Sequence, residues 1–147
     1  MQKYPTLAID YGEKHFGVSI SDSKGIIASP LEVISITKNR DINIVIADIK
    51  NICKEYRVKR IIVGMPQIFS KNQEKSKRKI QDFISILKKS IDIPTITYDE
   101  TFSTSEAQNM LISSGQNSRG YRSKIDSIAA TVFLQEFLNS ENNKNEN

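Results

Sequence analysis

The apolar residues of this chain first change period near residue 41, from strand-like runs to helices alternating with strands, and that change restricts the fold more than any other feature. Before it the apolar runs are short and strand-like. Thr6-Leu7-Ala8-Ile9-Asp10 reads as a brief buried strand closed by Tyr11-Gly12. Phe16 to Asp22 alternates large apolar with small residues, and Ser23-Lys24-Gly25 makes a turn. Ile26 to Ile36 reads as a third strand interrupted by Pro30, which suits an edge or a bulge because proline has no N–H to give to a ladder. Short connections between the three predict an antiparallel meander.

After residue 41 the spacing becomes helical. Ile42, Val45, Ile46, Ile49, Ile52, Cys53 and Tyr56 share one stripe, predicting an amphipathic helix over 41–57. Arg60-Ile61-Ile62-Val63-Gly64 is the β-branched run of a strand buried on both faces, as in parallel sheets. A basic segment follows, then Ile80, Phe83, Ile84 and Leu87 mark a second helix. Residues 93–98 read as a fifth strand, 103–114 as a third helix, and about 122–138 as a last one. The order β-β-β-α-β-α-β-α-α predicts an α/β protein. Its sheet is mixed and five-stranded, flanked by helices, with the first, fourth and fifth strands parallel.

At 147 residues the chain has a single-domain length. The domain is expected over 1–138, because 139–147 is polar, aperiodic and expected to be a disordered tail. One cysteine excludes an intrachain disulfide, and Cys53 reads as a small core residue. No apolar run approaches the roughly 20 residues that span a bilayer, and no signal-peptide pattern opens the chain, so the expected location is cytoplasmic and off the membrane. The formal net charge is +4, compatible with a polyanionic partner.

Three acids stand out by position. Asp10 ends the first strand, Asp99-Glu100 ends the fifth, and Asp126 lies in the last helix one turn before Ala130. Each has a local explanation: Asp10 can start a turn, Glu100 can be a solvated residue before the Ser103/Glu106 capping box, and Asp126 can favour a helix N-terminus. None of these explains why all three map to the carboxyl edge of a parallel sheet, where α/β proteins place their sites. Converging carboxylates repel unless cations neutralise them, and hard oxygen donors suit Mg²⁺ or Mn²⁺. Two such ions about 3.5–4 Å apart can activate water and stabilise the leaving oxygen of a phosphodiester. With His15 the only histidine, a Ser-His-Asp triad or a histidine zinc site has little support.

At these positions the chain resembles a known family. Ala8 to Asp22, Ile62-Val63-Gly64-Met65-Pro66, Asp99 to Ala107 and Lys124-Ile125-Asp126-Ser127-Ile128-Ala129-Ala130 resemble, in order, the four motifs of the YqgF-type, Holliday-junction-resolvase-like family, described as pre-16S rRNA nucleases. The resemblance spans about residues 6–138. It implies a ribonuclease H-like fold, Asp10, Glu100 and Asp126 as metal-holding catalytic acids, and a cytoplasmic role in maturing the 5′ end of small-subunit ribosomal RNA. The family has arginine where this chain has His15 and Thr101, and its glycine-containing stretch after Gly-Met-Pro is replaced by Gln67 to Asn72.

Contacts with nucleic acid are expected from Lys14, near Asp10, and from Arg119, Tyr121, Arg122 and Lys124 in a connection before the last helix. There cations can meet phosphates and a tyrosine can stack on an unpaired base. Lys71, Lys75, Lys77, Arg78 and Lys79 read first as a solvated helix face. Precursor ribosomal RNA and branched DNA both fit as substrates, as does a monomer or a homodimer. Two rivals are a sugar-kinase or actin-like nucleotide-binding domain, which generally needs a second domain, and a non-catalytic RNA-binding assembly factor. ATP-dependent stabilisation would mark the first, and RNA binding without cleavage the second.

Overall fold

Residues 3–12, 15–35, 41–66, 71–100 and 118–145 are described in the structure, a computed structural model; within these, the side chains at 66, 71–73, 76, 99–100, 118–126 and 144–145 lie outside the description. Strand β1 (Thr6–Asp10) is central. Leu7 and Ile9 bury one of its faces and Ala8 the other, all with no exposed surface. Cover on both faces is why this strand reads as a continuous apolar run.

Strand β2 (His15–Ser21) runs antiparallel to β1, with Ile9 opposite Val18 and Asp10 opposite Gly17. The single third strand expected over 26–36 is two: β3 (Ala28–Pro30) and β4 (Ile34–Ser35), both antiparallel to β2. The break follows Pro30: Leu31 still donates to Val18 O at 2.8 Å, but the Val18 N–H is taken by Ser127 of the last helix and not by this strand. The turn before β3 is held by the Asp22 carboxylate, which accepts the Ile26 and Ile27 N–H groups at 2.7 and 3.0 Å.

Helix α1 (Ile42–Glu55) starts at Asp41, whose side chain accepts the Asn43 N–H at 3.1 Å. It ends in a Schellman closure: Arg57 turns left-handed at φ 55°, and Val58 N–H reaches Cys53 O at 2.9 Å. Burial pushes the Cys53 thiol up to about 11, so it stays protonated and serves as a small core residue. Strand β5 (Arg60–Pro66) lies parallel to β1, and β6 (Thr95–Glu100) parallel to β5. Between them α2 (Lys71–Ser90) crosses over the face that carries Leu7, Ile9 and Val63. The helix expected over 103–114 lies outside the described residues.

The sheet order is therefore β3-β2-β1-β5-β6, with β4 added beside β2. The mixed α/β architecture and the three parallel strands are as the periodicity predicts. Helices α1 and α2 cover one face, and α3 (Ser118–Asn145) covers the other through Ala130, Phe133, Leu134 and Leu138 packed on Ala8 and Ile62. No described helix is long and apolar enough to cross a membrane.

Helix α3 is longer than its apolar stripe. The disorder expected from Asn139 differs from the structure, which continues the helix to Asn145. Glu141 is the reason. Its carboxylate accepts Arg60 Nη2 at 2.7 Å, Arg60 Nη1 at 3.0 Å and the Tyr4 hydroxyl at 2.6 Å. The same guanidinium donates to Thr6 Oγ1 and lies over the rings of Phe137 and Tyr4, 4.7 and 5.3 Å from their centroids. Hydrogen bonding to Arg60 holds the Glu141 carboxyl below the usual carboxylate range, outweighing its partial burial.

Candidate active site

The carboxyl ends of β1, β5 and β6 form one edge. Asp10, the last residue of β1, is half-buried and engaged with neighbours. Glu100 is the last residue of β6, in register with Pro66 of β5. Ile9, Val63 and Thr97 share a row across the three strands, so Asp10 lies one residue beyond that row and Glu100 three. With strands about 4.8 Å apart and a rise of about 3.3 Å per residue, their backbones stand roughly 10 Å apart across the sheet and 7 Å along it. Both have the parity of Ala8 and Tyr98, the positions whose side chains pack under α3.

Asp126 is placed by its neighbour. Ser127 is fully buried, and its hydroxyl accepts the Val18 N–H at 3.1 Å. Val18 also accepts the Leu31 N–H at 2.8 Å where β3 has ended, so the serine takes over from the missing strand. Val18 sits opposite Ile9, which puts the α3 backbone at 126–127 beside the end of β1. Further down, Gln135 accepts the Ala28 N–H at 2.9 Å and donates to Ile26 O at 2.8 Å, while Asn142 donates to Gly25 O at 3.0 Å. Three polar side chains thus fix the register of α3 along the hairpin. Thr131 donates to Ser127 O at 2.8 Å within the helix.

The turn after Asp10 is equally constrained. A Cβ on Gly12 would collide with the backbone carbonyl oxygen of His15, so only glycine lets the chain double back there. Tyr11 packs its ring 4.8 Å from Phe16 and 5.4 Å from Phe83 of α2. These contacts anchor the residue after Asp10 to the face of the sheet covered by α2.

Of the predicted site residues, Asp10, Glu100 and Asp126 have their backbones on this one edge. Among the described residues no three His, Cys, Asp or Glu gather as a metal-holding group, the side chains at 100 and 126 lying outside that set. Lys14 and Thr101 are outside the described residues, and His15 is exposed at the start of β2. Arg119, Tyr121, Arg122 and Lys124 were expected in an irregular connection; their backbone is instead the opening of α3. Sequence reasoning missed Ser127, although it stands beside Asp126 as a small polar residue on an otherwise apolar stripe.

A mixed sheet with three parallel strands and helices on both faces defines the class: an α/β protein of ribonuclease H-like fold. Its fold is similar to that of Thermus thermophilus RuvC in complex with a Holliday junction substrate, with TM-score 0.57 and 15% identity over 92% of this chain and 94% of that one. Fowlpox virus resolvase in complex with Holliday junction DNA is similar in fold too, with TM-score 0.54 and 14% identity over 92% and 97%. The model of the RuvX Holliday junction resolvase family matches residues 5–140, and the chain belongs to that family. Among its relatives, the proteins of Halothermothrix orenii and Desulforamulus reducens bear the name "Putative pre-16S rRNA nuclease". They are 38% and 41% identical, over 92% and 91% of this chain and 95% and 96% of theirs.

Proposed function

We propose that the chain is a metal-dependent nuclease, cleaving phosphodiester bonds in the precursor of small-subunit ribosomal RNA in the cytoplasm, with the nuclease domain spanning 1–138 and steadied by Glu141. The observation that carries this reading is the convergence of backbone positions 10, 100 and 126 on one sheet edge, with α3 locked beside β1 by the Ser127–Val18 bond. Family membership and the names of the relatives support the reaction class and the RNA substrate.

The donor chemistry fits Mg²⁺ or Mn²⁺: carboxylate oxygens, with no thiol nearby and the one histidine exposed. Asp10, Glu100 and Asp126 would hold the metal, which supplies a water of lowered pKa and neutralises charge on the leaving oxygen. The protein's own part is positioning. Gly12 keeps the hairpin tight, the Tyr11–Phe16–Phe83 ring cluster anchors the residue that follows Asp10, and Ser127 sets the height of Asp126. Arg119, Tyr121, Arg122 and Lys124, at the start of the helix that bears Asp126, would meet the RNA backbone and an unpaired base, and Lys14 a phosphate.

The test is an assay of single-stranded RNA, precursor ribosomal RNA and a four-way DNA junction with and without Mg²⁺, comparing the wild type with Asp10→Asn. Metal-dependent RNA cleavage that disappears in the variant is expected. Cleavage that persists unchanged in Asp10→Asn, or in EDTA, overturns the mechanism. Preference for the DNA junction would replace the RNA substrate by a resolvase activity.

A further inference from the structure

We infer that the amino-terminal half of α2 is a nucleic-acid-binding arm that overhangs the carboxyl edge of the sheet and grips the phosphate backbone beside the scissile bond. The inference rests on the nuclease reading and assigns it a second contact surface. Charge is the first observation. Residues 71–79 carry Lys71, Lys75, Lys77, Arg78 and Lys79 against Glu74, five cations and one acid. The remaining chain has sixteen residues of each sign, so the whole net charge of +4 resides in these nine residues.

Position is the second. Helix α2 joins two parallel strands and runs antiparallel to them, starting at the carboxyl edge. Phe83 meets Tyr11, the residue that follows Asp10, so α2 is level with the end of β1 there. Lys71 lies twelve residues earlier, a rise of about 18 Å along the helix. The basic turns therefore project beyond the strand ends, next to Asp10, instead of lying against the sheet.

Exposure is the third. Lys75, Arg78 and Lys79 are exposed, and at i, i+3 and i+4 they share a face. Among the described residues none of the three enters an ion pair or side-chain hydrogen bond. Lys71 opens the helix, where a cation opposes the dipole, and the like charges four apart, Lys71/Lys75 and Lys75/Lys79, repel. A solvated face under no other demand has no need of this arrangement, whereas a polyanion relieves it.

The experiment measures binding by Asp10→Asn protein, which separates affinity from cleavage. Single-stranded RNA and a four-way DNA junction are titrated at several salt concentrations, with wild-type activity assayed in parallel. The triple variant Lys75→Gln/Arg78→Gln/Lys79→Gln should lower the slope of log K against log salt for RNA by about 2, and the affinity in 0.1 M salt on the order of 100-fold, if each cation releases about 0.7 counterion. The control Lys54→Gln/Lys88→Gln/Lys89→Gln removes the same charge from α1 and the far end of α2, and should leave the slope unchanged. Lys75→Arg/Arg78→Lys/Lys79→Arg should keep the wild-type slope. Equal losses in the first triple and the control, or no loss in the first, overturn the arm while leaving the nuclease reading standing if the wild type still cleaves. Failure of the wild type to bind either nucleic acid overturns both. A thermal melt of each variant checks folding, and the first triple should melt no lower than the wild type.

Discussion

The two ends of the sheet treat charge in opposite ways. At the amino end, Arg60, Glu141, Tyr4 and Thr6 form a closed set in which the guanidinium is neutralised, hydrogen-bonded and covered by two rings. At the carboxyl end, Asp10 and Glu100 close two strands, and the first nine residues of α2 carry five cations against one acid. The first arrangement needs nothing from outside the molecule. Under the proposed function, the second is completed by a metal ion and a polyanion.

That contrast makes separable predictions. Asp10→Asn should reduce cleavage on the order of 10³-fold, equivalent to roughly 4 kcal/mol of transition-state stabilisation, in a single-turnover assay. Its melting temperature should stay within a few degrees of the wild type. A matching loss of stability would mean that Asp10 is structural and the two ends are alike.

Glu141→Ala should do the reverse. Leaving Arg60 partly buried without its partner should cost about 2–3 kcal/mol in urea unfolding, with cleavage by the folded fraction unchanged. Ser127→Ala strips the buried Val18 N–H of its acceptor and should cost about 1–2 kcal/mol. Because the same bond sets the height of Asp126, this variant should lose activity as well, joining the two ends through α3. Unaltered cleavage would show that the bond is not what positions the acid.

The smallest effect is that of pH. Glu141 is held below its ordinary carboxylate range by Arg60, so its contribution is complete above the unfolded-state value near 4.5 and fades as pH falls through the lower, folded value. Wild-type stability should drop more steeply than that of Glu141→Gln as pH falls below about 4.5, as followed by denaturant midpoints. Parallel curves would remove Glu141 from the clamp.

Much of this was legible in the residues. The continuous run Ile61-Ile62-Val63 marked a strand covered on both faces, the helical stripe from Ile42 to Cys53 marked α1, and acids at the ends of apolar runs pointed to one edge. Such signals are local, because strand and helix periods repeat within a few residues. The split after Pro30 was half visible: proline announced an interruption, but only the sheet showed that both pieces pair with β2.

Partners far apart in sequence were not legible. Glu141 looked like part of a polar tail until Arg60, on another strand, gave its carboxylate a buried cation. The sequence placed Ser127 in a helix but not its partner, the Val18 N–H, which β3 leaves to be satisfied where it ends. The basic run before Ile80 reads as a solvated face from the sequence; the contact of Phe83 with Tyr11 is what sets the level of α2 against the end of β1. Sequence alone determined the mixed α/β pattern, most of its elements and the acids that close β1 and β6, since those follow from nearest-neighbour chemistry. Which polar groups meet, and how far each helix extends past the sheet, was decided by the tertiary structure, because a hydrogen bond or an ion pair needs its partner brought in from elsewhere in the chain.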